Sequence, residues 1–315
     1  MQVRRSLAAV AAATALALTG CAGDDLADDS GDDPAAGSQD RGTVRISGQN
    51  WPEAELVASM YSQLLEANGW TPDVKLVAAR DAYMSTFPDS IDVVPEYTGG
   101  IVDFLNTQAN GADAEPLTTS DAGESIDAAQ DLLDEAGITL LEPSEATDTN
   151  AFFMTAEKAE ELGATTLSDL EGQSVVLAAA PDCKGRADCE GGLSEVYGID
   201  ITKILPLGFA SDQTYKSVLD GESDLGLTAT TDGTLESQGL VLLEDDQEIQ
   251  PAQNLVPAVS TSFLEENPEI EDVLNELMAA LDTEKLTELN GRVSVDREKA
   301  ADVARDFLES EGLLD

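Results

Sequence analysis

Ile91-Asp92-Val93-Val94-Pro95-Glu96-Tyr97-Thr98-Gly99-Gly100 is the stretch on which the reading of this chain turns. Ile91–Val94 reads as a short strand, and an aromatic followed by small residues at its end reads as a ligand loop or as an ordinary turn. Upstream, Thr43–Ser47 is a first strand. Pro52 suits the first position of a helix. Leu56, Val57, Met60, Tyr61, Leu64 and Leu65 follow at helical spacing, and Gly69 stops the run. Val74–Val77 is a second strand, and a short amphipathic segment covers 82–87. The first hundred residues thus spell β-α-β-α-β, the grammar of a parallel sheet with helices on its faces.

Downstream, a helix at about 121–136 leads into Ile138–Leu141, and a second round begins. Strands are expected at Ala151–Met154, Ser174–Ala178, Ile204–Leu207, Leu225–Thr228 and Leu240–Leu243, with a helix at Tyr215–Leu219. From Pro268 the chain is mostly helical. One stripe is Ile270, Val273, Leu274, Leu277 and Met278; another is Val303, Phe307 and Leu308. Two such rounds and a helical tail suggest two lobes. Open α/β sheets bind ligands at the carboxyl ends of their strands, here the loops after Ile46, Val77, Val94 and Leu177. After Ile46, Gln49 and Asn50 could hold a ligand at a helix N-terminus, or Asn50 could cap the helix. Arg80 and Asp81 could pair with each other or cap the next one.

Composition removes several chemistries. Of 315 residues, 63 are acidic, 16 are Lys or Arg and none is His, for a formal net charge of −47. Without His there is no Ser-His-Asp triad, no Cys-His dyad and no HExxH zinc site. The negative surface repels phosphates and argues against nucleic acid. Cations, neutral solutes and zwitterions remain as small ligands. No cofactor and no metal site are expected. With so many carboxylates, a hydrolase pair cannot be picked out by spacing, so a secreted acidic hydrolase is only a remote alternative. The spread of acid resembles surfaces that work in high salt, where self-repulsion is screened.

Residues 1–20 have the form of an export signal, Arg4 and Arg5 followed by an Ala/Leu run too short to span a bilayer. Leu18-Thr19-Gly20-Cys21 resembles the lipobox of bacterial lipoproteins, which implies lipidation of Cys21 and attachment outside the cytoplasm at the cell membrane. The alternative is a buried N-terminal helix with a core cysteine. Residues 21–42, with seven Asp among small residues, form an acidic flexible tether. Cys183 and Cys189 lack the further ligands a zinc site needs. A small disulfide loop is expected in an oxidising compartment, with two free thiols as the alternative.

Several stretches taken together carry a resemblance. They are Gly48-Gln49-Asn50-Trp51-Pro52-Glu53, Ile91 through Gly99, Pro181-Asp182-Cys183 through Gly192-Leu193, Val196-Tyr197-Gly198, Thr231-Asp232-Gly233, Leu243-Glu244-Asp245-Asp246, and Val303 through Leu308. In order and spacing the chain resembles the glycine betaine/carnitine/choline substrate-binding proteins of osmoprotectant ABC importers, of the OpuC/OsmF type. The resemblance implies an α/β, two-lobed type II periplasmic-binding-protein fold with the ligand cleft between lobes. Lobe 1 would be 43–144 plus 251–315, and lobe 2 would be 145–250. It implies a monomer that is not an enzyme, captures a quaternary-amine solute in an aromatic cage by lobe closure, and delivers it to the ABC permease subunits.

Carried over residue by residue, the resemblance makes Tyr97 and Tyr215 cage tyrosines and Thr98 a polar ligand contact. Gln49 would sit near the ligand's other end, and Arg186 would meet the carboxylate of a betaine. Asn50, Tyr83, Phe152 and Trp51 are further candidates, with core packing the alternative for the three rings. The chain departs from the family where many members carry Tyr at the position of Ala151, and where some carry an aromatic after Leu227. The same receptor with a different small polar ligand is therefore the main alternative.

Overall fold

The structure is a computed structural model and describes residues 41–314. Cys21, the signal segment and nearly all of the acidic tether lie outside the described residues. Among the described residues, ten strands form two five-stranded sheets, β1 (Thr43–Gln49), β2 (Thr71–Val77), β3 (Val93–Tyr97), β4 (Ile138–Leu140), β5 (Asn150–Thr155), β6 (Ser174–Ala179), β7 (Asp200–Pro206), β8 (Leu225–Ala229), β9 (Leu240–Leu243) and β10 (Leu255–Ser260). The first sheet has the order β2-β1-β3-β10-β4 and the second β7-β6-β8-β5-β9.

Both sheets are mixed. β1 runs parallel to β2 and β3, but β10 is antiparallel to both β3 and β4. In the second sheet β6 is parallel to β7 and β8, while β5 is antiparallel to β8 and β9. The parallel grammar therefore describes four strands of each sheet, and one strand, β10 in the first and β5 in the second, reverses it. The chain crosses from the first sheet to the second between β4 and β5 and returns between β9 and β10.

β10 escapes a sequence reading because Pro257 interrupts its apolar run, and proline removes a ladder donor. Its partner strand resolves the difficulty. Pro257 lies directly opposite Pro95. Thr98 N–H donates to the Asn254 carbonyl at 2.9 Å, and hydrogen-bonded pairs alternate from there. The two prolines thus meet at a non-hydrogen-bonded position, and neither breaks that ladder. Once inside the sheet, all six residues of β10 are buried, as expected of a central strand covered on both faces.

The third strand runs on through Pro95, Glu96 and Tyr97, and the helix Thr98–Asn110 starts at once. The expected ligand loop is therefore a strand-to-helix corner. The region 121–136 is two helices, Ala122–Ala128 and Gln130–Ala136, broken at Ala129. The helix Pro52–Ala67 buries Leu56, Val57, Met60, Tyr61, Leu64 and Leu65 against the first sheet. The same core takes in Ile270, Leu274 and Leu277 of helix Glu269–Ala280 and Val303, Phe307 and Leu308 of helix Ala300–Ser310. The C-terminal stripes thus belong with the first sheet. The second sheet has its own core around Phe152, Met154, Leu177, Leu193 and Leu227. Cys183 and Cys189 are joined as a disulfide, with Cα atoms 5.3 Å apart. Among the described residues, no helix is long and apolar enough to cross a membrane.

Candidate functional site

A cavity of about 560 Å³ opens between the two sheets, at the carboxyl ends of β1, β7 and β8. From the first lobe it is lined by Trp51, Pro52 and Glu53, where β1 hands over to its helix, and by Asn290 of helix Thr283–Ser294. From the second it is lined by Phe209 and Ala210, which follow β7, by Tyr215 of helix Asp212–Leu219, and by the Thr228–Thr234 segment that closes β8. Asp148, on the crossing from β4 to β5, completes it.

Each polar wall is held by specific bonds. The Tyr215 hydroxyl donates to Asp232 Oδ2 at 2.6 Å and lies 3.0 Å from Thr228 Oγ1, which also donates to Asp232 Oδ2 at 2.6 Å. Thr234 donates to Asp232 Oδ1 through its N–H at 3.0 Å and its hydroxyl at 2.7 Å. Burial first, and the bond to Asp232 second, push the Tyr215 phenol up, so it stays neutral. On the other wall, Glu53 accepts from the Tyr97 hydroxyl and from Asn290 Nδ2. Asn290 Nδ2 also donates to the Thr231 carbonyl at 3.0 Å. Asp148 accepts from the Thr231 hydroxyl at 3.0 Å. Burial, and then the nearby charge of Glu53, raise the Asp148 carboxyl to about 7.

The expected site residues fall in different places. Tyr215 lines the cavity. Tyr97 is 7% exposed and stands one layer behind the wall, with its ring 6.0 Å from that of Trp51 and its hydroxyl on Glu53. Thr98 is fully buried and its hydroxyl donates to the Asn254 carbonyl at 3.0 Å, tying the helix start to β10. Gln49 ends β1 and Asn50 is exposed. The helix that follows is capped at Trp51 with no side-chain bond, so Asn50 does not cap it. Tyr83 is buried in the first lobe with its hydroxyl on Glu96, and Phe152 is buried in the second lobe's core. Arg186 sits on the disulfide loop, where Nε donates to Asp188 Oδ1 at 2.9 Å and Nη1 to Asp182 Oδ2 at 3.1 Å. It is not among the residues lining the cavity. Arg80 pairs with Glu96 rather than with its neighbour Asp81.

The sequence profile described as the substrate-binding domain of ABC-type glycine betaine transport systems, OpuAC, matches residues 42–310. The chain belongs to the OpuAC family. This is a family of solute-binding proteins of ABC importers that work outside the cytoplasm, and it is not an enzyme family. A glycine-betaine-binding protein of Pseudomonas aeruginosa is 30% identical, with 89% of this chain and 92% of that protein aligned. The glycine betaine-binding protein YehZ of Escherichia coli is 27% identical over 85% of this chain and 90% of its own length. Among solved structures, apo YehZ superposes with a TM-score of 0.72 at 26% identity, covering 86% of this chain and 99% of that one. A glycine betaine/carnitine/choline ABC transporter structure reaches 0.74 at 20% identity, over 86% and 100%, and so supports the two-lobed fold.

Within this OpuAC domain, two rings of the cavity follow from position more than from pattern. Trp51 was legible only as a candidate wall with a core alternative, and in the structure it lines the cavity. Phe209 carried no sequence signal beyond Gly208 before it. It is 47% exposed, and Gly208 (φ 113°) and Ala210 (φ 44°) on either side both have positive φ. Such a backbone is unfavourable for Ala210 and persists only where the surroundings fix it. The Ala210 N–H donates to the Leu227 carbonyl at 3.1 Å.

Proposed function

We propose that the chain captures a quaternary ammonium solute between its lobes and presents it to the permease of an ABC importer. The observation that carries this is the cavity, where Trp51 from one lobe and Tyr215 and Phe209 from the other face a common space of about 560 Å³. A desolvated cation against an aromatic face gains about 1–2 kcal/mol per ring. A cavity of this size suits a small solute. Rings from opposite lobes couple binding to closure, because only the closed form offers all of them to one cation. Tyr97 supports Trp51 and Glu53 from behind. We take the lobes to be 43–144 with 251–315, and 145–250. We also propose that the protein is monomeric and held at the membrane by a lipid on Cys21.

Calorimetry of the whole chain against glycine betaine, choline and carnitine tests the reading. Saturable heat with at least one of them is expected, and no heat with any would overturn it. A second reading, the same receptor with another small polar solute, is favoured by Ala151 and by the stretch Thr228–Asp232 after Leu227, which provide no ring where the resemblance leads one to look for one. A null result with all three amines and a saturable response to a different polar solute would select it.

A further inference from the structure

The cavity is charged in one sense only. Glu53, Asp148 and Asp232 line it, and among the described residues no Lys or Arg does. The hydrogen-bond donors that hold these three carboxylates are all neutral: Tyr97 and Asn290 on Glu53, Thr231 on Asp148, and Tyr215, Thr228 and Thr234 on Asp232. Glu53 is only 6% exposed. Buried carboxylates ordinarily have a countercharge, because neutral donors orient a charge without cancelling it. Here the protein supplies none in the lining. The one cation that the sequence offered for a solute carboxylate, Arg186, is bonded to Asp182 and Asp188 and is away from the lining.

We propose that the missing countercharge is the solute itself, a permanent organic cation bearing no carboxylate, so that this receptor selects choline-type cations against zwitterionic betaines. The inference rests on the cleft being the solute site and narrows what it accepts. A betaine and a choline-type cation offer the same trimethylammonium to Trp51, Tyr215 and Phe209. They differ at the other end. A hydroxyl can donate to Asp232 or Asp148, whereas a carboxylate would be placed among three carboxylates with no cation to meet it. Like charges juxtaposed in a partly desolvated site are strongly unfavourable. Asp232 is the main determinant because it lies beside Tyr215, on the same wall as the rings of the second lobe.

The test is calorimetry of the whole chain at pH 8 and constant ionic strength with choline chloride, glycine betaine and 3,3-dimethyl-1-butanol, the uncharged shape-mimic of choline. Choline is expected to bind at least about ten-fold tighter than glycine betaine, and the uncharged mimic to give no measurable heat. Asp232→Asn, which keeps the shape of the wall, should weaken choline about ten-fold and narrow the choline-to-betaine ratio. Asp148→Asn should narrow the ratio as well, and it keeps the test available if the first variant does not fold. Equal or tighter binding of glycine betaine by the unaltered protein would overturn this proposal and leave the quaternary-amine reading standing. Tight binding of the uncharged mimic would also overturn it. No binding of choline or betaine would overturn this proposal, and no binding of carnitine as well would overturn the quaternary-amine reading with it.

Discussion

Replacing Arg80 with Met should destabilise the protein by about 3–5 kcal/mol, the usual cost of removing one partner from a buried ion pair. Glu96 is 1% exposed, and Arg80 grips it with both arms, Nε to Oε1 at 3.0 Å and Nη2 to Oε2 at 2.9 Å. The Tyr83 hydroxyl and the Tyr97 N–H, at 3.1 Å, are its other donors, and both are neutral. Met replaces the aliphatic stem, so little packing is lost and the deficit is the stranded charge. Arg80→Lys should fall in between, because it keeps the charge but loses the two-armed geometry. The double change Arg80→Met/Glu96→Gln should recover most of the loss, since the amide oxygen can still accept from the Tyr97 N–H while its NH2 donates to the Tyr83 hydroxyl. Urea unfolding followed by far-ultraviolet circular dichroism reads all three. A loss below about 1 kcal/mol for Arg80→Met, or no recovery in the double variant, would refute the argument that this buried pair is what holds the β3 corner. That corner places Tyr97 behind Trp51 and Glu53, so the same variant should also weaken solute binding.

Other expectations follow from the same contacts. Tyr215→Ala should weaken binding of the best quaternary amine by about ten-fold or more, and Tyr215→Phe should cost a smaller but measurable amount because its hydroxyl helps fix Asp232; equal affinity of the Ala variant in calorimetry would rule out a ring contact. The raised Asp148 carboxyl means that the native state holds a proton the unfolded chain has released between its ordinary value and about 7. This group's contribution to stability therefore falls as pH rises through that window, and Asp148→Asn should flatten the measured dependence. The melting temperature should climb from low to molar NaCl, since 63 acidic residues against 16 basic ones repel one another and salt screens them; a flat or falling curve would remove the salt-adapted reading. Cys21→Ser should move the protein from the washed membrane fraction to the soluble one, and retention would refute the lipid anchor.

Much of the local structure is legible from residue pattern. Pro52, the apolar stripe from Leu56 to Leu65 and Gly69 mark the first helix because its start, its buried face and its stop are each set by neighbours in sequence. The stripes at Ile270–Met278 and Val303–Leu308 are equally plain. The disulfide between Cys183 and Cys189 is limited by loop length and by the lack of other partners. The lack of His, read from composition alone, excludes imidazole chemistry whatever the fold.

Tertiary structure decides the rest. Pro257 conceals a central strand until Pro95 is placed opposite it, and that pairing joins residues far apart in the chain. Tyr83 and Phe152 are ring-bearing candidates with no local feature that separates a wall from a core, and both go to cores. Phe209 looks like a loop residue until the ends of β7 and β8 and the Trp51 turn converge on one cavity. Arg186 reads as a free cation because sequence shows its charge but not its partners, and Asp182 and Asp188 engage it. Which side chain faces a cleft, and which charge is left uncompensated there, depends on contacts between segments a hundred or more residues apart. Hydrophobic periodicity reports only which face of an element is buried, so those contacts follow from the way the two sheets come together.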